Sequence, residues 1–419
     1  MVAGVNSGDL EEQYVAMTLF RKLLSKERNN PIDEVIAAGV VPRFVEFLTY
    51  HHSPALQFET AWALTNITSG SSEQTESVTQ AGAVPHLVEL LTCPSADVRE
   101  QAVWTLGNIA SDNRELVLSC GALPLLLQLV QKPENTYSMT RITANTLFKI
   151  CGKQPPPDQS LVYQVLPTFA MLLSSLDNDI VTDVCCAISN ITGGVENIQA
   201  VVESGVVRRI IELLASPSST RSVQISTLRA VGNIVAGSDA QVQAIIDAGG
   251  LVAILHILDS PVEALRREAC WTISNITAGS TTQIHAVIHA NLVLPLIEIL
   301  KNDDDFQIKK EAMWAIVNAI SGGTREQIMH FAERGSIKPL CGLLDCADDR
   351  IIEVVLDALE NMLKVGKDST ADDKNPVAGL IEEAKGLDKI EKHKQHGNIV
   401  IYKKAYNIID RYFTKKTNF

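Results

Sequence analysis

The stretch Arg99-Glu-Gln-Ala-Val-Trp104-Thr-Leu-Gly-Asn108-Ile-Ala-Ser-Asp112 returns in altered form along most of the chain. Close copies are Trp62-Ala-Leu-Thr-Asn66, Trp271-Thr-Ile-Ser-Asn275 and Trp314-Ala-Ile-Val-Asn318, and a copy with arginine at the tryptophan position is Arg229-Ala-Val-Gly-Asn233. Weaker copies place Asn145, Cys186 and Asp357 there. The tryptophan positions are 62, 104, 145, 186, 229, 271, 314 and 357, so successive copies lie 41 to 43 residues apart. A period of this length with no strand pattern inside it predicts an all-α stack of helical repeats.

The recurring stretch has two faces when it is placed on a helix at about 100° per residue. Ala102, Leu106 and Ile109 share one face and are predicted to be buried, whereas Trp104 and Asn108 point away from it. A lone tryptophan is more often a core residue. Here all four tryptophans occupy one register, and asparagine recurs four residues later at Asn66, Asn108, Asn190, Asn233, Asn275, Asn318 and Asn361. We call this row of tryptophan and asparagine positions the ladder, and we predict that it is an exposed binding surface.

The period is typical of armadillo or HEAT repeats, and each repeat of this chain contains three segments. A short polar helix such as 72–78 comes first, then an apolar helix introduced by glycine, as in Ala81-Gly-Ala-Val-Pro85, and finally the ladder helix. Glycine permits the sharp reversal of the chain, and proline is tolerated in the first turn of a helix. We predict one repeat domain over 1–419, with an incomplete first repeat at 9–28, a loop at 366–376 and a polar capping repeat at 381–419.

Composition limits the partners and the compartment. The formal net charge is −13, which argues against nucleic acid as the main partner and favours a basic ligand. No apolar run reaches transmembrane length, and the N-terminus has no signal-peptide pattern, so no membrane partner is expected. The eight cysteines include no Cys-x-x-Cys pair, which is typical of reduced thiols in the cytosol or nucleus.

The sequence has no recognisable catalytic or cofactor motif. There is no phosphate-binding loop, no Gly-x-Ser-x-Gly and no Cys/His nucleophile signature. The pairs His285/His289 and His393/His396 lack a third ligand nearby in sequence, so they are interpreted as surface histidines instead of a metal site. We therefore expect a protein that is not an enzyme and that holds no metal and no cofactor.

The sequence resembles the importin-α family of nuclear import adaptors over essentially its whole length. The blocks that carry the resemblance are Ala61-Trp-Ala-Leu-Thr-Asn-Ile, Ser69-Gly-Ser-Ser-Glu-Gln-Thr75, Glu100 to Asp112, Leu228 to Asp239, Glu268 to Asn275 and Lys310 to Asn318. The resemblance implies a right-handed superhelix of about ten armadillo repeats with a concave groove. It also implies cargo proteins with Lys/Arg-rich nuclear localisation signals as partners, and shuttling between cytoplasm and nucleus.

The resemblance further implies two peptide sites. The implied major site comprises Trp62, Asn66, Ser69, Gly70, Thr75, Gln101, Trp104, Asn108, Asp112, Asn145, Asp183 and Asn190, of which Asn190 is not the family's usual residue at its place. The implied minor site comprises Arg229, Asn233, Asp239, Trp271, Ser274, Asn275, Glu311, Trp314 and Asn318.

Physical chemistry suggests how such a ladder would bind an extended basic peptide. An asparagine amide has both a donor and an acceptor, so it can hold a peptide N–H and C=O without reading the side chain. Neighbouring indoles form slots for the aliphatic stems of lysine or arginine and add a cation–π attraction. The acids Asp112, Asp183, Asp239 and Glu311 would receive the charged ends.

Two departures from the family pattern affect these expectations. Family members begin with an Arg-rich segment that binds importin-β, and that segment is absent from these 419 residues, so importin-β is expected to bind only through it. A recycling exporter at the C-terminal repeats is a further implied partner. In addition, Asn145 and Lys149 replace tryptophan and asparagine, which we expect to weaken the major site. The alternative function is a catenin-type armadillo scaffold in adhesion or signalling, whose groove would be lined with lysine and arginine.

Overall fold

A computed structural model describes residues 1–26, 30–152, 154–368 and 375–414. Within these ranges all regular structure is helical, which confirms the predicted all-α class. The chain divides into two compact units, Met1–Ser204 and Gly205–Phe419, which are described separately below. The single-domain boundary and the superhelix handedness stay predictions. None of the described helices is by itself long and apolar enough to cross a membrane, and two bent helix pairs meet the length and composition criteria only jointly.

The first unit contains five ladder helices with shorter helices between them. The ladder helices are Leu10–Leu24, Pro54–Thr68, Ala96–Ser119, Tyr137–Ile150 and Asn178–Thr192. The other helices are Val2–Val5, Ile32–Ala37, Val41–Phe47, Ser72–Gln80, Ala83–Leu90, Ala122–Val130, Gln159–Leu172 and Ile198–Glu203, with a 3₁₀ turn at Val195–Asn197. Helix Ala96–Ser119 is broken at Asn113, where the backbone is non-helical, so its ladder segment ends there and a polar segment follows.

The second unit repeats this order. Its ladder helices are Arg221–Val235, Glu263–Thr277, Phe306–Gly322, Asp349–Asp368 and Ile399–Tyr412. The others are Val206–Ala215, Asp239–Asp247, Gly250–Leu258, Thr281–His289, Val293–Asn302, Arg325–Glu333, Ile337–Leu343, Pro376–Glu383 and Gly386–Lys392, with a 3₁₀ turn at His393–Gln395. The loop predicted at 366–376 is shorter than expected, because one helix continues to Asp368 and the next begins at Pro376; residues 369–374 lie outside the described residues.

Two local devices set the turns of each repeat. The glycine before the apolar helix adopts a left-handed backbone, with φ of 82° at Gly82, as the sequence predicts. Asn291 takes the same role with φ of 61°. Several of the polar helices begin with a reciprocal capping box, for example between Ser280 and Gln283. The amide of Gln283 also donates to the backbone oxygen of Asp239, 3.0 Å away, and so joins one polar helix to that of the preceding repeat.

Ladder helices pack side by side within each unit, which narrows the exposed ladder surface. Ala102, Leu106 and Ile109 have no exposed surface, so their predicted burial is confirmed. More of the helix is buried than predicted. Thr105 is also buried, and its hydroxyl lies 2.7 Å from the hydroxyl of Thr65 on the preceding ladder helix. A helix with neighbours on three sides keeps only a narrow solvent-facing stripe.

The C-terminal repeat corrects one sequence interpretation. His393 is buried, and its Nε2 lies 2.9 Å from the backbone oxygen of Leu344, so it is not a surface histidine. The last helix packs on Asp349–Asp368, and Lys404 forms ion pairs with Asp357 and with Glu353.

Candidate functional site

Trp104 is the most open tryptophan of the ladder, with 46% of its surface exposed, which agrees with the predicted exposure. Trp62 is half-buried. The Arg21 guanidinium lies over its ring, 4.5 Å from the ring centroid, and is held by an ion pair with Glu59 at 2.7 Å. One face of the Trp62 indole is therefore already covered by a cation of the protein itself.

Asn108 is not on a solvent-facing ridge, which corrects the sequence prediction. It is only 9% exposed. Its amide nitrogen donates to the backbone oxygen of Thr65 at 3.3 Å and to the hydroxyl of Thr68 at 3.4 Å. Its amide oxygen accepts from the Lys149 ammonium at 3.0 Å. Both functions of this amide are therefore engaged within the protein, because the neighbouring ladder helices approach closely enough to use them.

A pocket of about 520 Å³ opens beside Trp104. Its lining residues are Trp104, Ser138, Arg141, Ile142, Asn145, Thr146, Lys149, Asp179, Thr182 and Asp183. The Asn145 amide donates to the Asp183 carboxylate at 3.0 Å, and Arg141 forms an ion pair with Asp179. Burial raises the pKa of Asp183 and lowers the pKa of Lys149. The charged groups of this pocket thus have partners of their own.

The remaining residues of the implied major site differ in accessibility. Ser69, Gly70 and Asp112 are exposed, and Asn66, Gln101 and Asn190 are half-buried. Thr75 is only 2% exposed, and its hydroxyl donates to the backbone oxygen of Thr68 at 3.3 Å, so it offers no surface to a peptide. A Cβ at Gly70 would lie 1.8 Å from Oε1 of Gln74, so this glycine makes room for the capping box.

The second unit brings Trp271, Trp314, Asn275 and Asn318 onto adjacent ladder helices. Trp271 is half-buried against Gly232, where a Cβ would lie 2.3 Å from the indole. The Asn318 amide nitrogen donates to the backbone oxygen of Ser274 at 2.9 Å.

The amide nitrogen of Asn275 differs from that of Asn318 in its hydrogen bonding. It is buried and has no hydrogen-bond partner within the described chain. An unsatisfied buried donor costs about 1–3 kcal/mol. Because this nitrogen is buried, it is not open to a peptide carbonyl, whereas the amide oxygen is not buried and accepts no hydrogen bond from the described residues. The oxygen is therefore the atom of Asn275 that is open to a peptide N–H.

Glu311 is the acidic group of this ladder best suited to receive a cation. It is half-buried, and burial raises its pKa. It forms no ion pair with the described residues, although the nearby cations Lys310 and Arg267 oppose part of the effect of burial. Arg229 contrasts with it, because its guanidinium already pairs with Glu268, with 2.9 Å between Nη2 and Oε2. A ligand's ammonium would therefore find an unpaired carboxylate at Glu311.

The other implied minor-site residues are divided between surface and interior. Asp239 is exposed and Asn233 is half-buried. Ser274 is only 5% exposed, and its hydroxyl donates to the backbone oxygen of Trp271 at 2.7 Å. Its hydroxyl therefore supports the ladder helix from inside, and the contact of Ser274 with a peptide stays a prediction.

Sequence reasoning missed the arginines that lie over the ladder tryptophans. Besides Arg21, Arg350 lies over Trp314, 5.3 Å from the ring centroid. The period itself could have found Arg21, since it stands 41 residues before Trp62 and thus at a tryptophan position. No comparable signal exists for Arg350. Within the described ranges, no group of three His, Cys, Asp or Glu side chains could hold a metal ion.

Comparison with known proteins identifies the family. The armadillo/beta-catenin-like repeat model matches residues 28–69, 71–111, 154–193, 194–236 and 238–278, an atypical Arm repeat matches 375–418, and a HEAT-like repeat matches 263–319. Importin subunit alpha-1b of Oryza sativa subsp. japonica is 49% identical over 99% of this chain and 79% of that protein. The chain belongs to the importin-α family. Importin subunit alpha-2 of Arabidopsis thaliana is 50% identical over the same shares.

Membership of the importin-α family confirms the function predicted from the sequence, nuclear import adaptor, over the catenin-type alternative. Two solved structures agree in fold. An engineered protein matches with a TM-score of 0.84 and 27% identity over 98% of this chain and 97% of that one. A designed armadillo repeat protein in complex with the peptide (KR)4 matches with a TM-score of 0.51 and 32% identity over 58% of this chain and 98% of that one.

Proposed function

We propose that this importin-α chain binds basic localisation signals as extended peptides on two ladders, one in each unit. The observation that carries the proposal is the pair formed by Asn275, whose amide oxygen accepts no hydrogen bond from the described residues, and Glu311, whose half-buried carboxylate forms no ion pair with them. A lysine-containing peptide supplies both complements: a backbone N–H for the amide oxygen and an ammonium for the carboxylate.

The first-unit ladder would bind through fewer groups. Trp62, Trp104 and Asn66 remain candidates for contact there, with Asp112 exposed beside them. Thr75 and Ser274, being buried, would act by supporting the ladder helices in their units. The designed relative that carries a (KR)4 peptide supports the class of ligand.

The finer features of transport follow from family membership as proposals. Cargo proteins with basic signals would be the partners of both ladders, and the protein would shuttle between cytoplasm and nucleus. Importin-β would bind through the family's Arg-rich segment, and a recycling exporter would bind at the C-terminal repeats.

Calorimetry with two peptides of equal length tests the proposal. A peptide of four Lys-Arg pairs should bind with a dissociation constant in the micromolar range or tighter, whereas a matched Glu-Asp peptide should not bind. Trp271→Ala combined with Trp314→Ala should weaken binding at the second unit at least tenfold, since two cation–π slots of about 0.5–2 kcal/mol each are lost. Equal binding of the basic and acidic peptides would contradict the proposal.

A matched control tests whether any loss is local to the ladder. Phe306 is 42% exposed and begins the ladder helix that carries Trp314, but it is not at a ladder position. Phe306→Ala removes a comparable apolar surface from the same helix. It should leave peptide affinity unchanged, and a loss equal to that of the tryptophan variants would point to a change in the helix itself.

A further inference from the structure

The side chain of Lys149 reaches from its own ladder helix to the preceding one. Its ammonium lies 3.0 Å from the amide oxygen of Asn108, and the side chain is half-buried. Burial disfavours the charged form, which lowers the pKa of this lysine, while the nearby Asp183 carboxylate acts in the opposite direction. A cation kept in a partly buried position needs good partners, and Asn108 is the partner to which it is hydrogen-bonded.

Asn108 differs in this respect from its counterparts along the ladders. The amide oxygens of Asn66, Asn275 and Asn318 accept no hydrogen bond from the described residues. Their amide nitrogens have different partners: that of Asn66 donates to the hydroxyl of Ser25, and that of Asn318 donates to the backbone oxygen of Ser274. The oxygen that would accept a peptide N–H is thus open at three ladder positions and taken at Asn108.

We propose that Lys149 is a built-in occupant of the first-unit peptide site, which withholds the Asn108 clamp from ligands and thereby shifts basic peptides toward the second-unit ladder. The proposal rests on the proposed function of these ladders. A peptide N–H is neutral, whereas the Lys149 ammonium is charged, and charge-assisted hydrogen bonds are about twice as strong as neutral ones. The hydrogen bond that Asn108 would form with a peptide N–H is therefore weaker than the one it forms with Lys149, so a peptide does not readily displace the lysine.

The charges of the pocket reinforce this effect. Asp183 accepts from Asn145 and lies near Lys149 and Arg141, and Asp179 pairs with Arg141, so both carboxylates already interact with cations of the protein. In the second unit, Glu311 forms no ion pair with the described residues, and the amide oxygen of Asn275 accepts no hydrogen bond from them. A basic peptide thus has more unsatisfied complements in the second unit, although Trp104 is the most exposed indole.

A double-mutant cycle on Lys149 and Asn108 tests the proposal. All variants carry Trp271→Ala and Trp314→Ala, so that binding of a peptide of four Lys-Arg pairs reports on the first unit. Lys149→Met should tighten binding by about three- to tenfold, because the amide oxygen of Asn108 can then form one hydrogen bond with the peptide backbone. In an Asn108→Ala background the same substitution should give no gain, because the clamp is missing. Lys149→Gln serves as a second variant if Lys149→Met fails to fold.

A charge control separates the clamp from simple electrostatics. Arg141→Met removes a positive charge from the same pocket and releases Asp179 without touching Asn108, so its effect on binding should be the same with Asn108 and with Asn108→Ala. A gain from Lys149→Met that persists in Asn108→Ala, as the effect of Arg141→Met should, would overturn the proposal. Peptide binding by the parent chain with no gain from Lys149→Met would overturn this inference alone. Absence of binding by the protein with both ladders intact would overturn the proposed function as well.

Discussion

At the scale of single residues, the four tryptophans of the ladder do not contribute equally to packing. Trp104 is 46% exposed, whereas Trp271 is half-buried on Gly232. We expect Trp104→Ala to lower the free energy of unfolding by less than about 1 kcal/mol, as for other surface changes. Trp271→Ala should cost more, but less than the roughly 3–5 kcal/mol of a core aromatic deletion. Calorimetric melting of both variants checks this order, and a reversed order would mean that the burial of the two rings is misassigned.

The Glu311 carboxylate should increase the affinity for a basic peptide without stabilising the folded protein at neutral pH. Because burial raises its pKa in the folded state, the folded protein binds this proton more tightly than the unfolded chain, and stability falls as pH rises through that range. Glu311→Gln should therefore leave stability at neutral pH unchanged or higher, while affinity for a basic peptide falls several-fold. Affinity of the parent protein should also decrease on acidification, as Glu311 becomes protonated, and the variant should lose part of this dependence.

Glu268 provides the matched control for Glu311. It lies on the adjacent ladder helix and already pairs with Arg229. Glu268→Gln breaks an existing ion pair, so it should lower stability, whereas Glu311→Gln should not. Parallel melting curves distinguish the two cases. A large loss of stability in Glu311→Gln would show that its carboxylate has a structural partner.

At the scale of elements, one ion pair attaches the first ladder helix to the second. Arg21 and Glu59 are joined by hydrogen bonds of 2.7 and 3.1 Å, and Glu59 is only 5% exposed. Removing one member of a buried pair costs about 3–5 kcal/mol. We expect Glu59→Gln to approach this cost and to increase hydrogen exchange mainly in helix Leu10–Leu24. Arg208→Gln, which breaks an exposed pair with Glu212, is the control and should change neither.

At the scale of the whole molecule, two ladders on one chain allow a peptide with two basic clusters to gain by effective concentration. The full peptide should bind more tightly than either half when its linker is long enough, and shortening the linker should abolish the gain. Added salt should weaken all three, because part of the attraction is between incompletely buried charges. Calorimetry gives the affinities of the full peptide and of its two halves. If the full peptide binds no more tightly than the stronger half, the two ladders do not bind one peptide simultaneously.

Much of the fold and part of the site follow from the sequence alone. The 41- to 43-residue period predicted the order of eight ladder helices, since a repeat that recurs along the chain must stack on its own copies. The ladder helices Leu10–Leu24 and Ile399–Tyr412 lie outside these eight copies. Helical periodicity correctly predicted that Ala102, Leu106 and Ile109 are buried and that Trp104 is exposed. The resemblance identified the family because whole blocks of tryptophan and asparagine match in order.

The availability of each ladder group for binding was decided only by the tertiary structure. Periodicity assigns a residue to one face of its own helix, but Asn108 is buried by contacts with Thr65 and Lys149, which lie on the helices before and after it. Arg21 reaches Trp62 in the same way, from a different helix. Such contacts depend on the distance between packed helices and on side-chain length. A single sequence specifies which residues repeat, whereas packing determines which of them remain free to bind.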